Sequence, residues 1–403
     1  MWVRKRLDIG WFDIAAARLA WVVCWNRVAV RERLESRWAP DADGLACLSV
    51  RSGLDLLLSA LDWPAGSEVL MSALTVPDMA RIVAAHDLVP VPVDLDPDTA
   101  AATSESLRRA VSPATRGVLV AHLFGGRAPL DPVFDLARDH DLFVIEDCAQ
   151  AYIGPGWRGS ERADASLFSF GTIKTATAVG GALLRIADSG LLGKVREIES
   201  AWPVGSRLRY LLRVRKSALL KLCSSRAAFS LLANSCRLAG RDHDTFLNRT
   251  VRGFPGKDLL GQLRQQAPAP MLALLDRRLS RFAPERLAER AKRGARLVAR
   301  CGDRVRLLGP AASEHTWWVF PVLADRPGEL IVAMRAAGFD ATQGASMGIV
   351  EAPAGREDTA PNIRELFGQI VYLPLYREMP PREVDRMADV LLEATDGTAG
   401  RGP

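Results

Sequence analysis

No Cys-x-x-Cys pair and no cluster of cysteine with histidine occurs in these 403 residues, which argues against structural zinc. The six cysteines, Cys24, Cys47, Cys148, Cys223, Cys236 and Cys301, are too scattered for a disulfide framework, so a reducing cytoplasm is the natural setting. No stretch reaches the roughly 18 uninterrupted apolar residues of a membrane span. The start, Met1 to Arg6, is basic like that of a signal peptide, but Asp8, Asp13 and Arg18 interrupt the apolar stretch that should follow. Internal repeats are missing. Helix-turn-helix and zinc patterns are missing too, which argues against a nucleic-acid role. What remains is an enzyme-sized globular chain with 48% hydrophobic residues, enough for two cores.

Acidic residues are scarce in one region. Between Leu191 and Arg252, thirteen Lys/Arg stand against four Asp/Glu, a local balance of +9 in a chain of net charge +6, so the remainder is slightly acidic. Such a block suits nucleic acid, an anionic lipid surface, a phosphorylated substrate or a solvated helical face. The first 40 residues hold five of the ten tryptophans (Trp2, Trp11, Trp21, Trp25, Trp38), interleaved with Arg4, Lys5, Arg6, Arg18, Arg27, Arg31 and Arg33. That pairing fits an arm packed on the body or on a second subunit, or an interfacial helix. The expected location is cytoplasmic, with peripheral contact to the inner face of the membrane left open.

From Leu45 the pattern alternates. A short segment ends at Ser49, and Leu54, Leu57, Leu58 and Leu61 then mark one face of a helix. Strands are expected at 68–71, 89–93, 117–121, 142–146, 165–169 and 182–186, with helical stretches between the earlier ones. This predicts an α/β fold with a mostly parallel, helix-covered sheet. Residues 190 to about 252 read as a basic helical insert. Beyond them, 258–300 read as helices, 316–322 and 371–375 as strands, and 381–393 as a closing helix. The expected division is an N-terminal helical arm (1–40), a large domain (41–252), a small C-terminal α/β domain (253–395) and a flexible tail (396–403).

Two polar residues end or follow apolar runs: Asp147, after Val144-Ile145-Glu146, and Lys174, closing Ser169-Phe170-Gly171-Thr172-Ile173-Lys174. In an open α/β sheet, ligands collect at the carboxyl ends of strands. An amine and a carboxylate placed there are the two groups that pyridoxal 5'-phosphate chemistry requires, the amine to form an imine and the acid to keep the pyridine nitrogen protonated. With the runs 67–75, 91–96, 121–125, 144–150, 166–174, 180–182 and 372–376, the chain resembles the DegT/DnrJ-type nucleotide-sugar aminotransferases among the fold-type I pyridoxal-phosphate enzymes.

The resemblance implies a seven-stranded sheet, a homodimer, and amino transfer from glutamate or glutamine to a keto-sugar, nucleotide-linked, in polysaccharide, glycolipid or secondary-metabolite synthesis. It implies that Gln150 bonds the ring hydroxyl oxygen and that His122 belongs to the active-site loop. Ser169, Ser52 and Arg51 become phosphate candidates, the last two at the start of the Leu54 helix, where backbone N–H groups converge. Relatives that dehydrate sugars carry histidine in place of the lysine, and Lys174 argues against that chemistry. The family's usual aromatic over the cofactor has no counterpart in Leu74 to Met79, leaving Val76 in its place. Partner-subunit residues are expected near Arg252 and Lys257. Two other readings stay open: a pyridoxal-phosphate-binding regulatory or scaffolding protein without turnover, and an aminotransferase acting on a lipid-linked ketone at the membrane.

Overall fold

The computed structural model describes residues 1–4, 6–226, 228–230, 258–344 and 346–399. Its centre is a seven-stranded sheet of β1 (Gly44–Cys47), β2 (Glu68–Ser72), β4 (Val89–Val93), β5 (Thr115–Ala121), β6 (Phe143–Asp147), β7 (Ala165–Ser169) and β8 (Ala182–Ile186), in the order β1-β8-β7-β6-β5-β2-β4. The five strands from β7 to β4 run parallel, and β8 pairs antiparallel with both β7 and β1. A two-residue strand, β3 (Leu74–Thr75), lies outside this sheet.

Helices cover both faces, so the strands read as unbroken apolar runs. On one side α3 (Val50–Leu61) and α4 (Pro77–Ala84) pack Leu54, Leu57 and Ile82 against Val69, Ile145 and Leu184. On the other, α5 (Ser104–Ala110) and α6 (Asp131–His140) pack Leu107 and Phe134 against Val91, Val118 and Val144. Ser49 starts α3 by accepting the Ser52 amide at 3.1 Å, and Asp62 ends it in the left-handed region.

The N-terminal residues form α1 (Trp11–Val23) and α2 (Arg27–Trp38), which pack on helix Ala269–Ser280 and bury Trp38 against Phe168. Trp2 is a pin elsewhere: it sits in a separate core with Phe339, Leu373 and Met387. That core is built on β9 (Phe320–Leu323), its antiparallel partner strand Ile370–Leu373, and helices Glu285–Cys301, Pro327–Ala336 and Pro381–Ala399.

Two expected elements change. The strand read over 316–322 begins only at Phe320, because Trp317 takes φ 48° and Thr316 to Val319 bend around the loop after β5. The closing helix, read over 381–393, extends to Ala399, and residues 400–403 lie outside the described residues. Within the basic insert, α7 (Ser189–Ser200) and α8 (Arg207–Cys223) are helices; the part from 231 to 252 lies outside the described residues, as do Arg252 and Lys257.

Candidate active site

Strands β5, β6 and β7 all end at the same edge of the sheet, as parallel neighbours in register must, and so gather Ala121, Asp147 and Ser169. The loop after β7 is folded on itself. Ala178 and Gly180 donate their amides to the Phe170 carbonyl at 3.0 and 3.1 Å, and the Lys174 amide donates to Gly171 at 3.0 Å. Asp8 holds the loop from outside, accepting the Ala176 amide at 2.7 Å. Val179 adopts φ 61°. For a β-branched residue that conformation is strained, and such strain tends to collect at functional sites.

Lys174 is enclosed by this loop, and burial lowers its amine to about 8, the field of Asp147 opposing and that of Arg51 assisting. Asp147 moves the other way: burial raises it, while the Ala149 amide at 2.9 Å on Oδ1 and the charge of Lys174 restrain the rise. Among the described residues nothing donates to Oδ2 of Asp147. The donor set therefore fits a pyridoxal group, with a primary amine that gives up its proton easily and a carboxylate oxygen that no described group engages. Arg51 carries its charge into the same field while its guanidinium pairs with Asp78 at 2.8 Å. Ser169 Oγ stands at the strand end within 3.5 Å of the Gly171 amide.

Other expected site residues are engaged elsewhere. Ser52 is fully buried and donates its hydroxyl to the Leu263 carbonyl at 2.9 Å, so its oxygen serves helix packing. His122 is buried with both ring nitrogens occupied: Nδ1 accepts the Ala128 amide at 3.0 Å and Nε2 lies 3.3 Å from Glu146. Glu146 points to the face opposite Asp147, as strand alternation requires, and accepts Ser166 Oγ and the Ser160 amide. Gln150 accepts the Phe124 amide at 3.1 Å through Oε1, and its Nε2 faces the Met347 sulfur at 3.7 Å. Val76 is the N-cap of α4 and packs into the core on that side.

An aromatic ring does meet the lysine, from a segment whose sequence gave no sign of it. Trp318 places its ring centre 4.4 Å from the Lys174 amine and donates Nε1–H to the Ile173 carbonyl at 3.2 Å. It reaches the site because residues 316–319 wrap the loop after β5, with the Thr316 amide donating to Gly125 and the Val319 amide to Phe124. Gly125 has φ +96°, and a Cβ there would stand 2.5 Å from the Trp318 nitrogen. Only glycine admits this approach.

Residues 27–206 match the model of the DegT/DnrJ/EryC1/StrS aminotransferase family. The chain is similar to the GDP-perosamine synthase of Caulobacter vibrioides, 34% identical over 155 residues, 38% of this chain and 42% of that protein. It is also similar to the L-glutamine:2-deoxy-scyllo-inosose aminotransferase of Micromonospora echinospora, 33% identical over 162 residues, 38% of each. The matched stretch thus spans about two fifths of these relatives' length. Among solved structures, the aminotransferase TlmJ from Streptoalloteichus hindustanus superposes with a TM-score of 0.73 at 16% identity, covering 99% of this chain and 100% of that one. The sugar aminotransferase CalS13 from Micromonospora echinospora gives 0.69 at 18%, covering 98% and 100%. At such identities the likeness shows a shared fold along the whole chain.

Proposed function

We propose, from the match of residues 27–206 to the model of the DegT/DnrJ/EryC1/StrS aminotransferase family, that this protein uses pyridoxal 5'-phosphate to move an amino group from glutamate or glutamine to a keto-sugar. The observation that carries the reading is the placement of Lys174, in the folded loop after β7, within the field of Asp147 at the carboxyl end of the neighbouring strand β6. When bound, the cofactor supplies an aldehyde for the donor amine and a ring that spreads the charge left when Cα gives up its proton.

The protein's own groups have distinct tasks. Lys174 takes and returns the Cα proton, since an amine near 8 is partly neutral at neutral pH. Asp147 Oδ2 holds the ring nitrogen protonated. Ser169, Arg51 and the first amides of α3 hold the phosphate. Trp318 covers the amine and keeps water from it. A panel of nucleotide-linked keto-sugars, offered with glutamate or glutamine, tests the reading: formation of an amino-sugar supports it, and cofactor binding with no amino exchange favours a regulatory or scaffolding protein.

Two expected results arise here. Trp318→Ala should weaken retention of pyridoxal phosphate about twofold to thirtyfold, the value of a ring over a cation at about 0.5–2 kcal/mol, while Trp318→Phe retains most of it. Equal retention by both variants in equilibrium dialysis counts against a covering role. The active form should be a homodimer, because closed two-fold assemblies of this kind build each site across the interface. Light scattering of the active protein checks this, and a fully active monomer would refute it.

A further inference from the structure

We propose that the outer face formed by α1 and α8 docks flat on an anionic lipid surface. Among the described residues, twelve of the thirteen large apolar side chains that stand exposed fall between Trp11 and Val28 or between Val204 and Leu222. A soluble surface scatters such groups singly, and their concentration marks a binding face. On α8 they form a stripe, Leu208, Leu212, Leu219 and Leu222, opposite the buried Tyr210, Val214 and Ser217. On α1 the counterpart is Phe12, 86% exposed, with Leu19, Val22 and Val23.

The two helices are fixed to each other, so the face is one surface. Arg207 of α8 donates to the carbonyls of Trp21 and Cys24 and lies 4.0 Å over the exposed Trp25 ring. At the far end Lys221 approaches the Trp11 ring at 5.8 Å.

Charge selects the occupant. α8 carries six Lys/Arg and no Asp/Glu, with Arg209, Arg215 and Lys216 exposed beside the leucine stripe. The one acidic residue of α1, Asp13, is buried and bound to Arg277 and Arg278. A second copy related by a two-fold axis would lay this cationic helix against itself. An anionic bilayer complements it, and tryptophans at the rim of an apolar, arginine-flanked face suit the headgroup region. Beside Trp11, Arg6, Lys221 and Arg226 line a cleft of about 320 Å³ large enough for a phosphate headgroup. Glu378, 3.8 Å from Arg6, offsets part of that charge. No helix among the described residues is long and apolar enough to cross a membrane, so the face lies on the bilayer.

The buried side of α8 touches the catalytic loop, the Tyr210 hydroxyl donating to the Ala178 carbonyl at 3.0 Å. Docking would therefore set the Lys174 loop one helix diameter from the lipid, about 10 Å. The inference stands on the surface alone and does not depend on the transamination reading.

Pelleting the full-length protein with vesicles of phosphatidylcholine, alone or mixed with phosphatidylglycerol, tests it. The protein should pellet with the mixed vesicles, and less so as salt rises. Arg209→Gln/Arg215→Gln/Lys216→Gln should lower the partition about a hundredfold, at about fivefold per cation. Phe12→Ser/Leu212→Ser/Leu219→Ser should abolish it with the melting temperature unchanged, since these side chains are exposed. Absence of binding by the unsubstituted protein overturns the proposal, as does binding that neither set of substitutions reduces. If the Ser variant instead splits a dimer and the unsubstituted protein ignores vesicles, the face belongs to a second copy.

Discussion

Lys174→Ala should leave no pyridoxal phosphate fixed to the protein by borohydride and no visible absorbance from bound cofactor, a complete loss at one residue. The reason is chemical. Fixation needs a neutral amine in contact with the aldehyde, and burial brings Lys174 from the usual 10.5 to about 8. At neutral pH that raises the neutral fraction about three hundredfold over an ordinary lysine. Among the described residues no other lysine lies in the field of a buried carboxylate at the sheet edge as Lys174 lies in that of Asp147. The sign of the pH dependence follows from the direction of the shift. As pH rises toward 8 the neutral amine accumulates, so the rate of cofactor capture by the cofactor-free protein should climb and level off above 8, well short of 10.5. Stopped-flow absorbance gives this profile, and a midpoint near 10.5 would place the reacting amine at the solvent surface. Mass spectrometry of borohydride-treated Lys174→Ala gives the site. A single modified residue in that variant would move the assignment elsewhere.

The sheet, and the positions of Asp147 at a strand end and Lys174 in the loop that follows the next strand, were legible because both follow from local chain properties. Parallel strands covered on both faces read as apolar runs, and their ends are marked where polar residues return, as at Asp147 and Ser169. Side-chain commitments made across the fold were not legible. The sequence does not show that the Ser52 hydroxyl donates to the Leu263 carbonyl, 211 residues away, or that Glu146 and the Ala128 amide meet the ring nitrogens of His122.

Trp318 was hidden for a related reason. Its apolar neighbours imitate a strand, and only the wrap of 316–319 around Gly125 turns the ring toward Lys174. The basic character of α8 could be counted in sequence, whereas its apolar stripe could not be told from a core-facing one until Tyr210 and Val214 were seen to face inward.

Asp147→Asn is expected to separate cofactor holding from turnover. An asparagine is nearly the same size and can still accept the Ala149 amide, which Asp147 takes at 2.9 Å. Lys174 also keeps its enclosure. The fold and the covalent capture of pyridoxal phosphate should therefore survive. What is lost is the negative charge at Oδ2, and with it the preference for a protonated ring nitrogen, so the ring becomes a poor acceptor for the electrons released at Cα. Losing one such preorganised electrostatic partner costs on the order of a hundredfold to a thousandfold in rate. Removing the carboxylate also withdraws the field that helps keep Lys174 protonated, so its amine should fall below about 8 and capture of the cofactor should level off at lower pH. The two readouts move in opposite senses: capture at neutral pH is maintained or faster, while the single-turnover reaction with glutamate slows by at least about a hundredfold. A merely structural aspartate would lower both together. An unchanged half-reaction would show that a different acid meets the ring nitrogen, and Oδ2 of Asp147 would then have no part in the chemistry.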